Sequence, residues 1–288
     1  MTGVFYQNLV SPQDADCIIV GMPWDGTVSG RPGTRYGPQA IRSATLNVED
    51  YSPYLDRDIS EIRICDAGDI ELPHGDTGAA LDRIRETYAQ LRCSGAKMIV
   101  LGGEHLVTLP AIEVLHEAYG KRLFVVQFDA HADLREEYLG VQFSHATVMN
   151  HISRVVGIDN TAVIGIRSGT RDEWRLIREH PHCFSGVTSL NVDDFRTLAR
   201  EKLAGRKLYI TVDLDVFDPG VMPGTGTPEP GGIDFMTFVN LLKSMDGLDI
   251  VGADIVELTP DYDHSGISSA LAATVLRELL LMLGRKYE

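Results

Sequence analysis

Short, unbroken apolar runs alternate with longer stretches of helical period along the whole chain, and few architectures accept that pattern. The strand-like runs fall at 17–21 (CIIVG), 62–66 (IRICD), 97–101 (KMIVL), 123–128 (LFVVQF), 162–166 (AVIGI), 182–184, 207–212 and 249–255 (DIVGADI). Several lack the apolar–polar alternation of a strand with one wet face, so they read as parallel strands buried on both faces. Helical periods run over 38–46, 77–92, 105–118, 146–153, 171–180, 192–203, 234–244 and 266–283. Pro38 and Asp234 stand where helix starts favour them, and Gly247 follows a helix end. With no linker, repeat or low-complexity block, residues 1–288 read as one α/β domain with a mostly parallel sheet.

Charge and cysteine usage narrow the partners. Lys and Arg number 26 against 41 Asp and Glu, a formal charge of −15. Nucleic acid needs clustered cations and is excluded as an expected partner, whereas cationic ligands and metals suit the balance. Cys17, Cys65, Cys93 and Cys183 form no CxxC pair, and the first two sit in apolar runs as buried small residues. The start, MTGVFYQNLVSPQDAD, has no basic stretch leading into an apolar one. No apolar run approaches the roughly 18 residues of a membrane span. The expectation is a cytoplasmic protein with no membrane partner.

Three segments place polar residues where apolar strands end. In IVLGGEH (99–105) a strand runs into Gly102-Gly103, then Glu104 and His105 at a helix start. In VVQFDAHADL (125–134) Asp129, His131 and Asp133 alternate, and in an extended chain residues two apart project to one side. In YITVDLDVFDP (209–219) Asp213 and Asp215 share a face in the same way, while Asp218-Pro219 is a separate turn signal. Capping turns or a proton-sharing acid pair would each explain one segment. All three together favour a cation, because grouped acids at a buried strand end need compensation.

The combined set is His105, Asp129, His131, Asp133, Asp213 and Asp215. Two imidazoles and four carboxylates are too many for one four-coordinate zinc, and thiolates are missing from the set. Two divalent ions fit, with Mn²⁺ the best match to an oxygen-rich donor set. A water bridging them would lose a proton near neutral pH and become a nucleophile. The two Gly/Pro-rich loops, 21–37 and 217–232, are long for connections and are expected to wall the site.

At this point GGEH (102–105), DAHADL (129–134), SHAT (144–147), DLDVFDPGVMPGTGTPEPGG (213–232) and DIVELTP (254–260) resemble the ureohydrolases, the arginase and agmatinase family. The resemblance runs from about residue 18 to 284 and includes GMPWDG and RPGTRYGPQAIR near the start. It implies a three-layer α/β/α, arginase-like fold with a parallel sheet of roughly eight strands, two Mn²⁺ per chain and a homo-oligomer, trimer or hexamer. It further implies that His105, Asp129, Asp133 and Asp213 hold one ion. His131, Asp129, Asp213 and Asp215 would hold the other, with Asp129 and Asp213 bridging. Asp133 would orient a bridging hydroxide for attack on a guanidinium carbon, and Glu257 would pair with the guanidinium. His145 would carry protons to the leaving amine, a task suited to an ordinary imidazole pKa near 6.5.

The segment after the third ligand separates substrates. Arginases are similar to one another in an Asn-Thr and Ser-containing loop that recognises the α-amino and α-carboxylate groups; here the loop reads DLREEYLG. GMPWDG, RPGTRYGPQAIR and PDYD are similar to agmatinases instead. The expected reaction is therefore hydrolysis of agmatine, a small cationic guanidine, to putrescine and urea. Aminopropylagmatine, guanidinobutyrate, arginine and formiminoglutamate stand as alternatives; an acidic substrate tail would call on Arg135 or Arg31. A non-catalytic relative should have lost ligands, Glu257 or His145, and this chain keeps them all. His74, His116, His151, His180, His182 and His264 match no motif and read as surface or capping residues. Trp24 reads as packing.

Overall fold

The computed structural model describes residues 5, 9–180, 184–186 and 191–284. The apolar runs form strands β1 (Cys17–Met22), β4 (Ile64–Asp69), β5 (Lys97–Gly102), β6 (Leu123–Phe128), β7 (Thr161–Ile166), β8 (Phe184–Gly186), β9 (Lys207–Asp213) and β10 (Ile250–Val256). They make one eight-stranded sheet in the order β4-β1-β5-β10-β9-β6-β7-β8, and each neighbouring pair is parallel. A two-residue hairpin pair, β2 (Tyr51–Ser52) and β3 (Arg57–Asp58), stands apart.

Between the strands run α1 (Gly37–Ala44), α2 (Thr77–Arg92), α3 (Thr108–Tyr119), α4 (Val148–Val156), α5 (Arg171–Glu179), α6 (Val192–Leu198), α7 (Phe235–Lys243) and α8 (Ile267–Leu283). Asp76 and Asp234 cap α2 and α7 by accepting the N–H groups of Ala79 and Thr237, satisfying donors that a helix start leaves open. Successive strand residues feed opposite cores. Ile19, Leu101, Val126 and Ile210 pack with α1, α6, α7 and α8. Ile18, Val100, Val125 and Tyr209 pack with α2, α3, α4 and α5. Burial on both faces is why these strands read as continuous apolar runs, and three layers result.

Differences from the sequence expectation lie at element ends. The run at 62–66 becomes a strand only from Ile64, because Asp58 and Glu61 close a capping box around a 3₁₀ turn that ends at Ile62. The helix expected at 105–118 opens as a 3₁₀ turn, His105–Val107, before α3. The helix expected over 146–153 likewise opens as a turn, His145–Thr147, capped by Ser144, and then extends to Val156. Past Leu198 the helix continues as a π turn, Ala199–Leu203. Of the strand expected at 182–184, residues 182 and 183 lie outside the described residues, and β8 begins at Phe184.

Candidate metal centre

In a parallel sheet the carboxyl ends of the strands open onto one crevice, where ligands bind. The adjacent strands β5, β10, β9 and β6 bring His105, Glu257, Asp213 and Asp129 to that edge. His105 is the pivot. Its Nδ1 lies 3.1 Å from Asp129 Oδ2, 3.2 Å from Asp213 Oδ2 and 3.4 Å from Asp133 Oδ2. The ring is fully buried, and Nδ1 has no hydrogen-bond partner. Its Nε2 stands 2.9 Å from Thr211 Oγ1; with the Nε2 proton held there, Nδ1 presents a lone pair to the oxygen cage.

A second group stands beside the first. His131 Nδ1 is 2.9 Å from Asp215 Oδ2 and 3.7 Å from Asp129 Oδ1. Ligand atoms of His105, Asp129 and Asp133 lie within 4.8 Å of one another, and so do those of Asp129, His131 and Asp215. Asp129 belongs to both groups. A buried imidazole nitrogen without a partner, ringed by carboxylates, is the donor chemistry of a divalent cation site. Two ions sharing Asp129 fit these residues.

The convergence is not that of an extended strand. β6 ends at Phe128, and Asp133 takes a left-handed φ of 53°. β9 ends at Asp213, and Leu214–Val216 is a 3₁₀ turn carrying Asp215. Each strand-end aspartate caps its own turn: Asp129 Oδ1 accepts the His131 N–H at 2.6 Å, and Asp213 Oδ1 accepts the Asp215 N–H at 2.9 Å. The capping turn and the candidate ligand cluster are therefore compatible, because Oδ1 closes the turn and Oδ2 faces His105. Gly165 on β7 makes room for this bend; its φ is +102°, and a Cβ there would lie 2.9 Å from the Asp129 carbonyl oxygen.

Packing this many acids together perturbs them. Burial and the neighbouring Asp129 charge push Asp133 up to about 7. Burial with Asp215 and Asp129 carries Asp213 well above the carboxylate range. Burial opposes a charge on His105, but Asp129, Asp133 and Asp213 outweigh it and raise its pKa well above 6.5. Without cations, protons must do the neutralising.

Glu257 sits just past β10 with a left-handed φ of 67°. Its Oε1 accepts the His105 N–H at 2.8 Å, and burial, with Glu104 nearby, lifts its pKa well above the usual value. It lines a cavity of about 230 Å³ together with Asp133, Asp213, Asp215, His131 and His145. The expectation of an ordinary imidazole at His145 does not hold. Burial, with His131 and His105 adding to it, lowers its pKa to about 4, although the Thr27 carbonyl works the other way.

Both long loops reach this cavity, through Ser29 from one and Thr227 and Glu229 from the other. Arg135 lines it too, with its guanidinium 4.6 Å from the Tyr138 ring centroid and 3.6 Å from Glu173. Arg31 instead stacks on Tyr262. In the DLREEYLG loop, Tyr138 and Val141 exchange backbone hydrogen bonds across Leu139-Gly140, a tight turn. Trp24 is buried as packing. His180 ends α5, His74 and His264 are exposed, and His116 and His151 lie outside the cavity lining. His182 lies outside the described residues.

Sequence reasoning missed the row beneath the candidate ligands. Gln127, Thr211 and Asp254 are register neighbours on β6, β9 and β10, all fully buried. Gln127 Nε2 donates to Asp129 Oδ2, Thr211 meets His105, and the Tyr209 hydroxyl donates to Asp254 at 2.9 Å. Their signal was one polar residue interrupting each apolar run: LFVVQF, LYITVD and IVGADI. Arg167 was missed as well. Its guanidinium donates to the carbonyl oxygens of Asp215, Val216, Phe217 and Glu229, tying the second loop to the ligand turn.

The overall fold is shared with structures already solved. The Arginase family profile matches residues 15–282, and the chain belongs to that family. The agmatinase of Bacillus anthracis is 40% identical over 282 residues, 96% of this chain and 95% of that protein. The N(1)-aminopropylagmatine ureohydrolase of Thermococcus kodakarensis is also 40% identical, over 271 residues, 93% of this chain and 90% of that protein. The solved proclavaminate amidino hydrolase of Streptomyces clavuligerus superposes with a TM-score of 0.89 at 33% identity, covering 98% of this chain and 97% of that one.

Proposed function

We propose that the protein is a manganese-dependent ureohydrolase that cleaves agmatine to putrescine and urea. The observation that carries the reading is Asp129, shared by two imidazole–carboxylate groups that open onto the cavity lined by Glu257. When bound, two divalent cations supply a water whose pKa is lowered enough to act as a nucleophile near neutral pH.

This chain's residues do the rest. Glu257 is a buried carboxylate facing the cavity, and a guanidinium is the planar cation that satisfies two carboxylate oxygens at once. Asp133 accepts a proton from the attacking water and fixes its direction. His145 donates its Nδ1 proton to the Thr27 carbonyl at 2.9 Å, which leaves Nε2, the nitrogen facing Ser29, to receive a proton and deliver it. One C–O bond forms, one C–N bond breaks, and the water's proton ends on the departing amine.

The charge of the wall supports a substrate without an acidic tail. Among the described residues, Arg135 is the one Arg or Lys that lines the cavity, and it is engaged by Tyr138 and Glu173. Glu229 at the same wall suits a distal ammonium. The equal identity to the Thermococcus protein favours N(1)-aminopropylagmatine as the second reading. With the proposal go the cytoplasmic location and homo-oligomeric state expected above; no helix among the described residues is long and apolar enough to cross a membrane.

The test is urea release by the Mn²⁺-loaded protein from agmatine, arginine, aminopropylagmatine and guanidinobutyrate. Agmatine should give the highest kcat/KM. Preference for aminopropylagmatine transfers the reading to the longer polyamine, and urea from none of the four discards it.

A further inference from the structure

Glu104 is a carboxylate with no exposed surface, next to a candidate ligand yet turned away from the ligand cluster. Both of its oxygens accept from Thr27. Oε2 accepts the Thr27 N–H at 3.0 Å, and Oε1 accepts the Thr27 hydroxyl at 2.6 Å. Thr27 in turn serves His145 twice: its carbonyl accepts the Nδ1 proton at 2.9 Å, and Oγ1 accepts the His145 backbone N–H at 3.3 Å. Among the described residues, Thr27 makes hydrogen bonds to Glu104 and His145 alone.

The two segments are pressed together. Glu104 N–H donates to the Trp24 carbonyl at 2.8 Å, and a Cβ at Gly103 would fall 1.8 Å from that same oxygen. We propose that Glu104 is a positioning residue for His145, acting through Thr27 to hold the imidazole with its proton on Nδ1 and its Nε2 toward the cavity. The proposal rests on the proton-carrying role given to His145 above.

A carboxylate is needed because both Thr27 groups are donors. With its proton spent on Glu104, the Thr27 hydroxyl has lone pairs free for the His145 N–H. Glu104→Gln sets an amide NH₂ against one of those donors and turns the hydroxyl proton toward the His145 N–H. Thr27→Val keeps the shape and removes the hydroxyl altogether. The remaining contacts on the ring, Ser29 Oγ at 3.1 Å from Nε2 and the edge-on Tyr138, do not select a tautomer.

The experiment uses the Mn²⁺-loaded full chain and both variants. Each should lower kcat by about tenfold to a hundredfold, the loss that follows from misplacing a reacting group by about 1 Å, with KM and bound manganese unchanged. In a His145→Ala background the same substitutions should cost almost nothing more, since a residue acting through His145 has nothing left to position. A second readout needs no substrate: diethyl pyrocarbonate should modify His145 several times faster in either variant, as read by peptide mass spectrometry. Additive losses, loss of manganese, or unchanged modification in both variants would overturn the assignment. Absence of urea from the parent protein sinks the substrate reading instead, and leaves the modification rate to decide this one.

Discussion

Thr211→Val is the most informative single change to the centre. Valine has nearly the shape of threonine, so the fully buried site at β9 keeps its packing while His105 Nε2 loses the oxygen 2.9 Å away. A buried donor left unpaired costs about 1–3 kcal/mol. The ring escapes that cost by moving its proton to Nδ1, which removes the lone pair that faces Asp129, Asp133 and Asp213. Either way a cation at His105 is disfavoured by about 1–3 kcal/mol, roughly fivefold to 150-fold in affinity, as expected for a partner standing behind a metal-binding histidine. Among the described residues no side-chain hydrogen bond links Thr211 to Asp129, His131 or Asp215, so that group should keep its ion.

Graded dialysis against Mn²⁺, with metal analysis of the protein, measures this directly. At concentrations that load the parent with two ions per chain, the variant should retain one. Activity should return as Mn²⁺ is raised. Two ions per chain at the parent's concentrations, with an unchanged melting temperature, would refute the argument that Thr211 fixes the tautomer.

Glu257→Gln should keep manganese, because an amide oxygen still accepts the His105 N–H, yet lose about 30-fold or more in kcat/KM for agmatine, the cost of unpairing a buried charge; loss of metal would instead make Glu257 part of the ligand cluster. The pH profile tests His145. With its pKa lowered to about 4, the ring is neutral from mildly acidic pH upward, so it should add no limb to kcat/KM near pH 6.5; a limb there that disappears in His145→Ala would contradict the burial argument. The stability sign follows from linkage. The unfolded chain protonates this imidazole near 6.5 and the folded one near 4, so folding weakens as pH falls through that window, and His145→Ala should relieve part of that loss in thermal unfolding.

Much of this could be read from the residues alone. A strand buried on both faces is apolar along nearly all its length, so β5, β6, β9 and β10 announced themselves despite the single polar residue inside three of them. A metal-binding set would interrupt that apolarity where the strand leaves the core, which picks out His105, Asp129, His131, Asp133, Asp213 and Asp215 as the candidate ligands. The arrangement of those side chains was less legible. The even spacing of Asp129, His131 and Asp133 suggested an extended chain, whereas a left-handed residue and a capping turn bring the groups together. Spacing records which residues are near one another along the chain, and both geometries satisfy it.

What the sequence by itself determined is the class of sheet, the acidic edge and the chemistry those acids demand, since each follows from periodicity and residue type within a few positions. Tertiary structure alone decided the partners. Thr211 stands 106 residues from His105, Thr27 is 77 from Glu104 and 118 from His145. Burial, which no short stretch encodes, moved His145 away from its ordinary pKa. Hydrogen bonds and dielectric surroundings belong to the packed chain, so the tautomer of each histidine and the division of labour between the two oxygens of Asp129 exist only once the strands are side by side.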